Sequence, residues 1–380
     1  MTAQTQNDAP PAEDPQARQA PVATGDNILD GKRVLFVVNA DAGGGVEQLV
    51  STLAPYLSER GAHVETCWLY PKTSIGSLSK LRGILKAAKT VACYRADMLV
   101  TFQPTSSVIA TVAARLTGCP TRVVHQSNMP QDTHPIPRAL DWLAGSLGFY
   151  STIIINSRAT NQAFGGYPRC YVRKFRVIPH GVTYGAPKVD REAMRAALGV
   201  PDGARIMLVA SRLTPVKSVG TIISALPQVP DAHLLIAGGG ESRDALQKLS
   251  ANLGVADRVT FLGIIPAPKL ADYYAIADLF ASASKSETFG LATVEAATHG
   301  IPVVASTIPA TREVLTLDGD SPAVFVDGWD TAAWAKGLTR ALDDQEVIAR
   351  AKKFAPKFRE WYSNNRMLKT YGELFREVLS

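Results

Sequence analysis

The sequence predicts an α/β protein made of two doubly wound parallel-sheet domains that face one another across a cleft. Three observations carry this reading. The chain has 380 residues, more than one hydrophobic core usually supports. Short apolar runs without polar alternation, the mark of strands covered on both faces, recur between segments of helical spacing. The rhythm starts near residue 32 and restarts near residue 205.

The first half opens with the apolar run Arg33–Asn39 and a glycine turn at Gly43-Gly44-Gly45. Val46, Val50, Leu53 and Leu57 then follow at helical spacing, Gly61 closes the helix, and His63–Leu69 begins a second strand. Strand, glycine turn, helix and strand make a βαβ unit. Further short strands are expected at Met98–Phe102, Arg122–His125 and Thr152–Asn156. In the second half Arg205–Ala210 and His233–Ala237 read as strands, the latter ending in Gly238-Gly239-Gly240. Val259–Leu262, Leu279–Ala281 and Pro302–Ala305 continue the series, with helices such as Ser242–Leu253 and Ala267–Ile276 between them. Each half is therefore a Rossmann-like domain. The expected boundaries are a disordered segment 1–30, rich in Ala, Pro, Gln and Asp; a first domain 31–185; a second domain 186–355; and a helical tail 356–380. The tail carries Trp361, Tyr362, Leu368, Tyr371 and Leu374, and is long enough to cross back and tie the halves together.

Composition narrows the function classes. No apolar run approaches the roughly 18 residues of a membrane span, and the first thirty residues contain no signal-peptide h-region. The four cysteines are far apart, with neither a C-x-x-C pair nor a histidine at metal-ligand spacing. A zinc site or disulfide framework is not expected, and a reducing cytoplasm is. Net charge of +6 favours an anionic partner: nucleic acid, membrane surface or phosphorylated substrate.

In open α/β sheets ligands bind beyond the carboxyl ends of the strands, so chemistry belongs on the post-strand loops. Arg212 and Lys217 follow the strand ending at Ala210, where a planar guanidinium and a compact ammonium could meet a diphosphate. By themselves they could equally be two exposed cations on a turn. Ser284–Ala296 follows another strand and places a helix start near Phe289 or Gly290. A helix N-terminus presents unpaired N–H groups to an anion, and glycine lets the ligand approach closely. Glu287 lies before this helix and Glu295 inside it, with seven residues between. One carboxylate could reach sugar hydroxyls and the other a ribose. Taken singly, they would pass for ordinary helix-start acids.

Taken in order, Arg212 and Lys217, Ala237–Gly240, Arg258–Gly263, Ser284–Ala296 and Gly300–Ala305 resemble the nucleotide-binding half of the family 4 glycosyltransferases. The resemblance is specific over about residues 205–330 and looser over 32–183. It implies the GT-B fold and retaining transfer from a nucleotide-diphosphate sugar, probing no protein nucleophile. It also implies that Arg212 and Lys217 neutralise the donor diphosphate, that Glu295 holds the ribose and that Glu287 contacts sugar hydroxyls. Backbone amides of Phe289, Gly290 and Leu291 would lie nearby, Gly239 would line the donor site, and the strand end around Phe261 would border the nucleobase. Gly44 and Gly45 match the family's glycine loop, and His125 stands where related enzymes place a histidine beside the donor sugar. His180 reads as structural or hinge-related, and Glu313 occupies a commonly acidic place. The leaving diphosphate would itself help deprotonate the acceptor, a glycan or polyprenyl-lipid-linked group shaped by Gln103–Ser107 and Gln126–Pro137. No metal is expected, and G-x-G-x-x-G spacing is missing, which argues against a nicotinamide or flavin cofactor. Competing readings are a nucleotide-sugar epimerase of the same architecture and a non-enzymatic module for anionic polymer. No basic-aromatic motif supports nucleic acid as the partner.

One stretch suggests a place of work. Between Glu65 and Asp97 there is no acid, while Lys80, Arg82, Lys86 and Lys89 share a helix with Leu78, Leu81, Leu85, Ala88 and Val91. Such a helix either packs its apolar face on the sheet or lies on an anionic membrane surface, peripheral on the inner face of the cytoplasmic membrane. Arg169, Arg173, Lys174 and Arg176 could extend the basic patch.

Overall fold

A computed structural model of the protein describes residues 29–40, 44–70 and 77–380. The opening segment expected to be disordered, residues 1–28 of it, lies outside this set, as does Gly43.

The apolar runs form two parallel six-stranded sheets. In the first, β1 (Arg33–Ala40), β2 (His63–Tyr70), β3 (Met98–Phe102), β4 (Thr121–His125), β5 (Thr152–Ile155) and β6 (Phe175–Val177) stand in the order 2-1-3-4-5-6. In the second, β7 (Arg205–Ala210), β8 (Ala232–Ala237), β9 (Val259–Gly263), β10 (Leu279–Ser282), β11 (Val303–Ser306) and β12 (Val324–Val326) take the order 12-11-10-7-8-9. The expected strands are all present within a residue or so of their predicted ends. β6 and β12 carry no sequence signal: each is a three-residue strand at a sheet edge, hydrogen-bonded on one side only.

The first sheet reverses its winding between β1 and β3, and the second between β7 and β10. At such a reversal the two following loops diverge and open a crevice at the strand ends. Every expected site loop leaves a strand end at or beside one of these two points.

Helices cover both faces of the first sheet. On one face lie α1 (Gly45–Ser58) and the last helix of the chain; on the other lie α2 (Ser77–Tyr94), α3 (Pro104–Leu116) and α4 (Pro135–Ser146). Short helices α5 (Arg158–Ala163) and α6 (Arg169–Val172) follow β5. The second sheet is flanked by α7 (Arg191–Ala197), α8 (Val219–Ala225), α9 (Arg243–Asn252), α10 (Ala267–Ile276), α11 (Leu291–Thr298), α12 (Pro309–Leu315) and α13 (Thr331–Asp343).

The tail splits in two. Helix α14 (Gln345–Trp361) buries Phe354 and Phe358 in the second domain's core. The chain breaks at Tyr362, Ser363 caps the next helix by accepting from Arg366 N–H, and α15 (Asn364–Leu379) packs on the first sheet. Met367, Tyr371, Leu374 and Phe375 lie there among Val34, Phe36 and Val100. Val182 N–H donates to Tyr362 O at 2.8 Å, so the outgoing and returning crossings run side by side.

Helix α2 is seated differently from expectation. Its sheet-facing line is Gly83, Ala87 and Val91; a Cβ on Gly83 would meet Leu69 O at 2.0 Å. Because the small residues take the tight side, Leu81 and Leu85 are turned out, 52% and 62% exposed. Of the apolar line read from the sequence, Val91 packs on the sheet while Leu81 and Leu85 do not.

Truncating Phe375 to Ala should cost about 3–5 kcal/mol of stability by emptying a fully buried site beneath α15. Urea unfolding measures it; an unchanged midpoint would show that α15 is not part of the first domain's core.

Candidate functional site

The cleft wall contributed by the second domain is assembled at the β7/β10 reversal. Arg212 and Lys217 lie on the loop after β7, and Ser284–Gly290 lie after β10. Lys285 N–H donates to Val216 O at 2.8 Å, stitching the two loops together. The Gly238–Gly240 turn braces the Arg212 loop from behind. Gly238 and Gly240 have φ of 144° and 152°, and a Cβ on either would strike the carbonyl oxygen of Ser211 or Leu213 at 1.8 and 2.4 Å. Leu213 N–H donates to Gly239 O at 2.8 Å. The glycines thus allow two backbones to touch. Arg212 is left exposed.

Lys217 and Glu287 are brought together as a partner pair. Lys217 Nζ lies 2.6 Å from Glu287 Oε1, and Ser284 Oγ donates to the same oxygen at 2.8 Å. Both side chains are largely buried, 17% and 13% exposed. An oxygen already held by an ammonium and a hydroxyl is a weak nucleophile but a well-aimed acceptor.

Helix α11 begins one residue later than Gly290, which occupies its N-cap at φ 88°. That left-handed turn suits glycine and leaves the first N–H groups of Leu291 onward facing the loop. Phe289 contributes its ring differently: it is 2% exposed and packs edge-on against His180 and Tyr362. Leu291 meets the first domain, because a Cβ on Gly45 would lie 2.6 Å from Leu291 Cδ1. Gly44 is the N-cap of α1, extended and exposed beside this contact.

Glu295 sits one turn into α11, with Tyr274 O–H donating to Oε2 at 3.0 Å. Surrounding protein desolvates the carboxylate and pushes its pKa up to about 7, opposed by hydrogen bonds from Tyr274 and from Gln48 of α1. The expected ribose contact would have to replace the Gln48 bond from the opposite domain. Phe261 stays apart from the group: its ring packs against the core beneath β8 and β9.

The first domain supplies the facing wall. His125, at the end of β4, is 1% exposed, and neither ring nitrogen has a hydrogen-bond partner. Burial, with His180 adding to it, holds its pKa well below 6.5, while Asn156 from the end of β5 opposes the shift. It is therefore neutral at pH 7, able to donate or accept a hydrogen bond but not to supply charge. The Asn156 amide is also buried without a partner at either atom, as are Ser127 Oγ and Thr307 Oγ1. Orphaned buried polar groups are rare, and these four lie at or just after the ends of β4, β5 and β11. Ser127, Asn156 and Thr307 had no motif to announce them; a polar residue directly after an apolar strand run was the available signal. His180 joins the walls, with ring centroids 5.7 Å from His125 and 5.3 Å from Phe289.

Three polar ties hold the walls in register. Ser157 Oγ and Thr160 Oγ1 both donate to Thr288 O, at 2.8 and 3.2 Å. Glu313 caps α5 across the cleft, accepting from Arg158 N–H at 2.8 Å and Ala159 N–H at 2.7 Å. Ser286 Oγ donates to Asp132 Oδ2. Glu313, whose role the sequence left open, is thus an interdomain clasp. Among the described residues no group of three or more His, Cys, Asp or Glu side chains is placed to hold a metal ion.

Comparison with known proteins gives this geometry a context. Residues 190–358 match the family model for glycosyl transferases group 1. A D-inositol 3-phosphate glycosyltransferase of Mycolicibacterium smegmatis is 36% identical over 190 residues, 48% of this chain and 43% of that protein. A GDP-mannose-dependent alpha-(1-6)-phosphatidylinositol monomannoside mannosyltransferase of the same organism is 35% identical over 217 residues, 53% of this chain and 55% of that one. The chain thus aligns with about half the length of these relatives. Among solved structures, HepE of Anabaena with UDP and glucose superposes with a TM-score of 0.77 at 22% identity, covering 91% of this chain and all of that one. Sucrose-phosphate synthase of Thermosynechococcus elongatus gives 0.79 at 20% identity, covering 91% and 99%. These likenesses establish a shared fold across the described chain.

Two outcomes follow from the site's ties and its pKa values. Glu313→Ala should lower stability by about 1–2 kcal/mol through loss of the α5 cap; urea unfolding reads it. For Glu295 the folded pKa lies above the unfolded value of 4.5, so between 4.5 and about 7 the folded state binds more protons and stability falls as pH rises. Glu295→Gln should remove that fall and leave the nucleotide-free protein about 2–3 kcal/mol more stable at pH 8 than at present. His125 and His180 act in the opposite sense, lowering stability as pH drops below 6.5, so the comparison is made between variant and parent at each pH.

Proposed function

We propose that the protein, whose residues 190–358 match the family model for glycosyl transferases group 1 and whose fold is GT-B, is a retaining hexosyltransferase. It takes a nucleotide-diphosphate sugar as donor and a glycan or lipid-linked group as acceptor. The observation that carries the reading is the set of cations and the helix N-terminus at the β7/β10 reversal, held against strand-end groups of the first sheet. Cations and a helix N-terminus stand on one wall, and unpartnered buried polar groups stand on both.

The division of labour follows from the chemistry of each group. Arg212, exposed and without a carboxylate partner, and Lys217 meet the diphosphate, together with the N–H groups that open α11. Glu287 accepts from sugar hydroxyls with its position set by Lys217 and Ser284. Neutral His125 and Asn156 give the sugar hydrogen bonds that nothing else in the protein now satisfies. The bond from the anomeric carbon to the diphosphate breaks as the acceptor oxygen bonds to the same face, and the acceptor proton passes to the departing phosphate oxygen. Charge on the leaving group is what the site stabilises, so no protein nucleophile takes part. In this reading Arg212, Lys217 and the N–H groups that open α11 take the place a divalent metal would otherwise fill.

The four cysteines are unpaired, as a reducing cytoplasm would keep them. A lipid-linked acceptor would place the enzyme at the inner face of the cytoplasmic membrane, in the synthesis of cell-surface polysaccharide or glycolipid.

A thermal-shift panel of nucleoside diphosphates and nucleotide sugars tests the donor site, because a ligand at 100 times its Kd adds about 2.7 kcal/mol to stability. One nucleotide should raise the midpoint, and Arg212→Ala should remove most of that rise. A panel without any stabilising nucleotide would overturn the reading. Addition of EDTA should leave transfer unchanged.

A further inference from the structure

We infer that the outer faces of α2 and α4 form a docking surface for an anionic lipid bilayer. The two helices lie on the same face of the first sheet with α3 between them, and both are packed with their large apolar residues outward. In α2 the sheet side is Gly83, Ala87 and Val91, which leaves Leu81 and Leu85 exposed beside Arg82, Lys86 and Lys89. Lys80 belongs to this helix too, but its side chain lies outside the described residues.

In α4 the arrangement repeats. Ala144 and Gly145 face inward, and a Cβ on Gly145 would meet the Tyr171 ring at 2.2 Å. Ile136, Leu140, Leu143 and Leu147 form one outward stripe at helical spacing, 65%, 48%, 45% and 65% exposed. Trp142 stands beside it at 42%. The helix cannot roll to hide this stripe. Asp141, on the inward side, accepts hydrogen bonds from Gln126, Tyr150 and Tyr171 at 2.6–2.9 Å and is 3% exposed. Rolling the helix would expose or orphan that network.

Charge selects the occupant. Residues 66–189 hold fifteen Lys and Arg against three acids, while the chain as a whole is only +6. All three acids are engaged: Asp97 accepts from Arg33 N–H, Asp132 from Ser286 and Asp141 from its buried donors. The face is thus apolar, tryptophan-bearing and predominantly positive, with Glu65 of β2 an exposed acid at its α2 edge. A second copy would bring the same charge and repel. A nucleic acid has no use for an exposed leucine stripe. A bilayer with anionic headgroups takes the leucines at its acyl boundary, the tryptophan at the interface and the cations at its surface. The surface does not rest on the transfer reading. It would lie beside the cleft mouth, because the turn leading into α4 carries Asp132, the residue tied to the donor loop.

Full-length protein is sedimented with phosphatidylcholine vesicles, with and without phosphatidylglycerol. The expected result is partition onto the anionic vesicles alone, weakened by salt, with a blue shift in emission that Trp142→Phe abolishes. Leu140→Gln with Leu143→Gln should lower partition by at least about tenfold, since each leucine contributes buried area at the boundary. Arg82→Glu with Lys86→Glu should do the same. All four positions are exposed, so unchanged thermal midpoints show that the variants are folded. Equal partition onto neutral vesicles, or native partition by the leucine variant, overturns the proposal. So does a concentration-dependent dimer, abolished by Leu140→Gln with Leu143→Gln, in a chain that ignores vesicles. Nucleotide stabilisation measured on the same variants should be native; its absence would count against the donor site and not against this surface.

Discussion

The carbonyl oxygen of Thr288 accepts hydrogen bonds from two hydroxyls that belong to the other domain, Ser157 and Thr160. One residue further on, Phe289 plugs against His180, and two residues on Gly290 opens α11. The same short helix that supplies the hydroxyls has its N-terminus capped by Glu313 from beyond the next strand. A single patch of backbone therefore decides where the donor loop stands relative to the facing sheet. Backbone groups held this way lose little freedom when a ligand arrives, which is what a preorganised charge-binding site requires.

The electrostatics of the cleft are muted in the absence of ligand. His125 and His180 are neutral because burial disfavours their charged forms, Glu295 is held near the edge of ionisation, and Lys217 and Glu287 cancel one another. Arg212 and Lys285, the latter over the Trp329 ring, are exposed cations of the loops at the second sheet's reversal. A doubly anionic group entering here meets cations and dipoles without an opposing carboxylate in the open. The orphaned amide and imidazole then find the hydrogen bonds that folding denied them.

Much of this architecture is legible in the chain. The central strands are, because a strand covered on both faces must be an apolar run; β6 and β12 are not, because an edge strand of three residues needs no such run. The glycine turn at 238–240 announces itself, yet its task is to let the Arg212 loop touch the turn rather than to approach a ligand with all three residues. Phe261, at the strand end expected to border the nucleobase, is half-buried and packs one side against the core. The leucines of α2 could face either the sheet or an outside surface, and the close approach of Gly83 to Leu69 turned Leu81 and Leu85 outward.

The two-domain rhythm, the placement of Arg212, Lys217, Glu287 and His125 at or after strand ends, and that of Glu295 in the following helix are determined by residue type and spacing along the chain. They depend on local pattern, which one sequence carries. Which groups end up as partners was decided only in three dimensions. Lys217 meets Glu287 across 70 residues, and Glu313 meets Arg158 across 155. No local rule encodes those meetings, because they depend on how two separately folded sheets are set face to face by α15 and by a few hydrogen bonds between them.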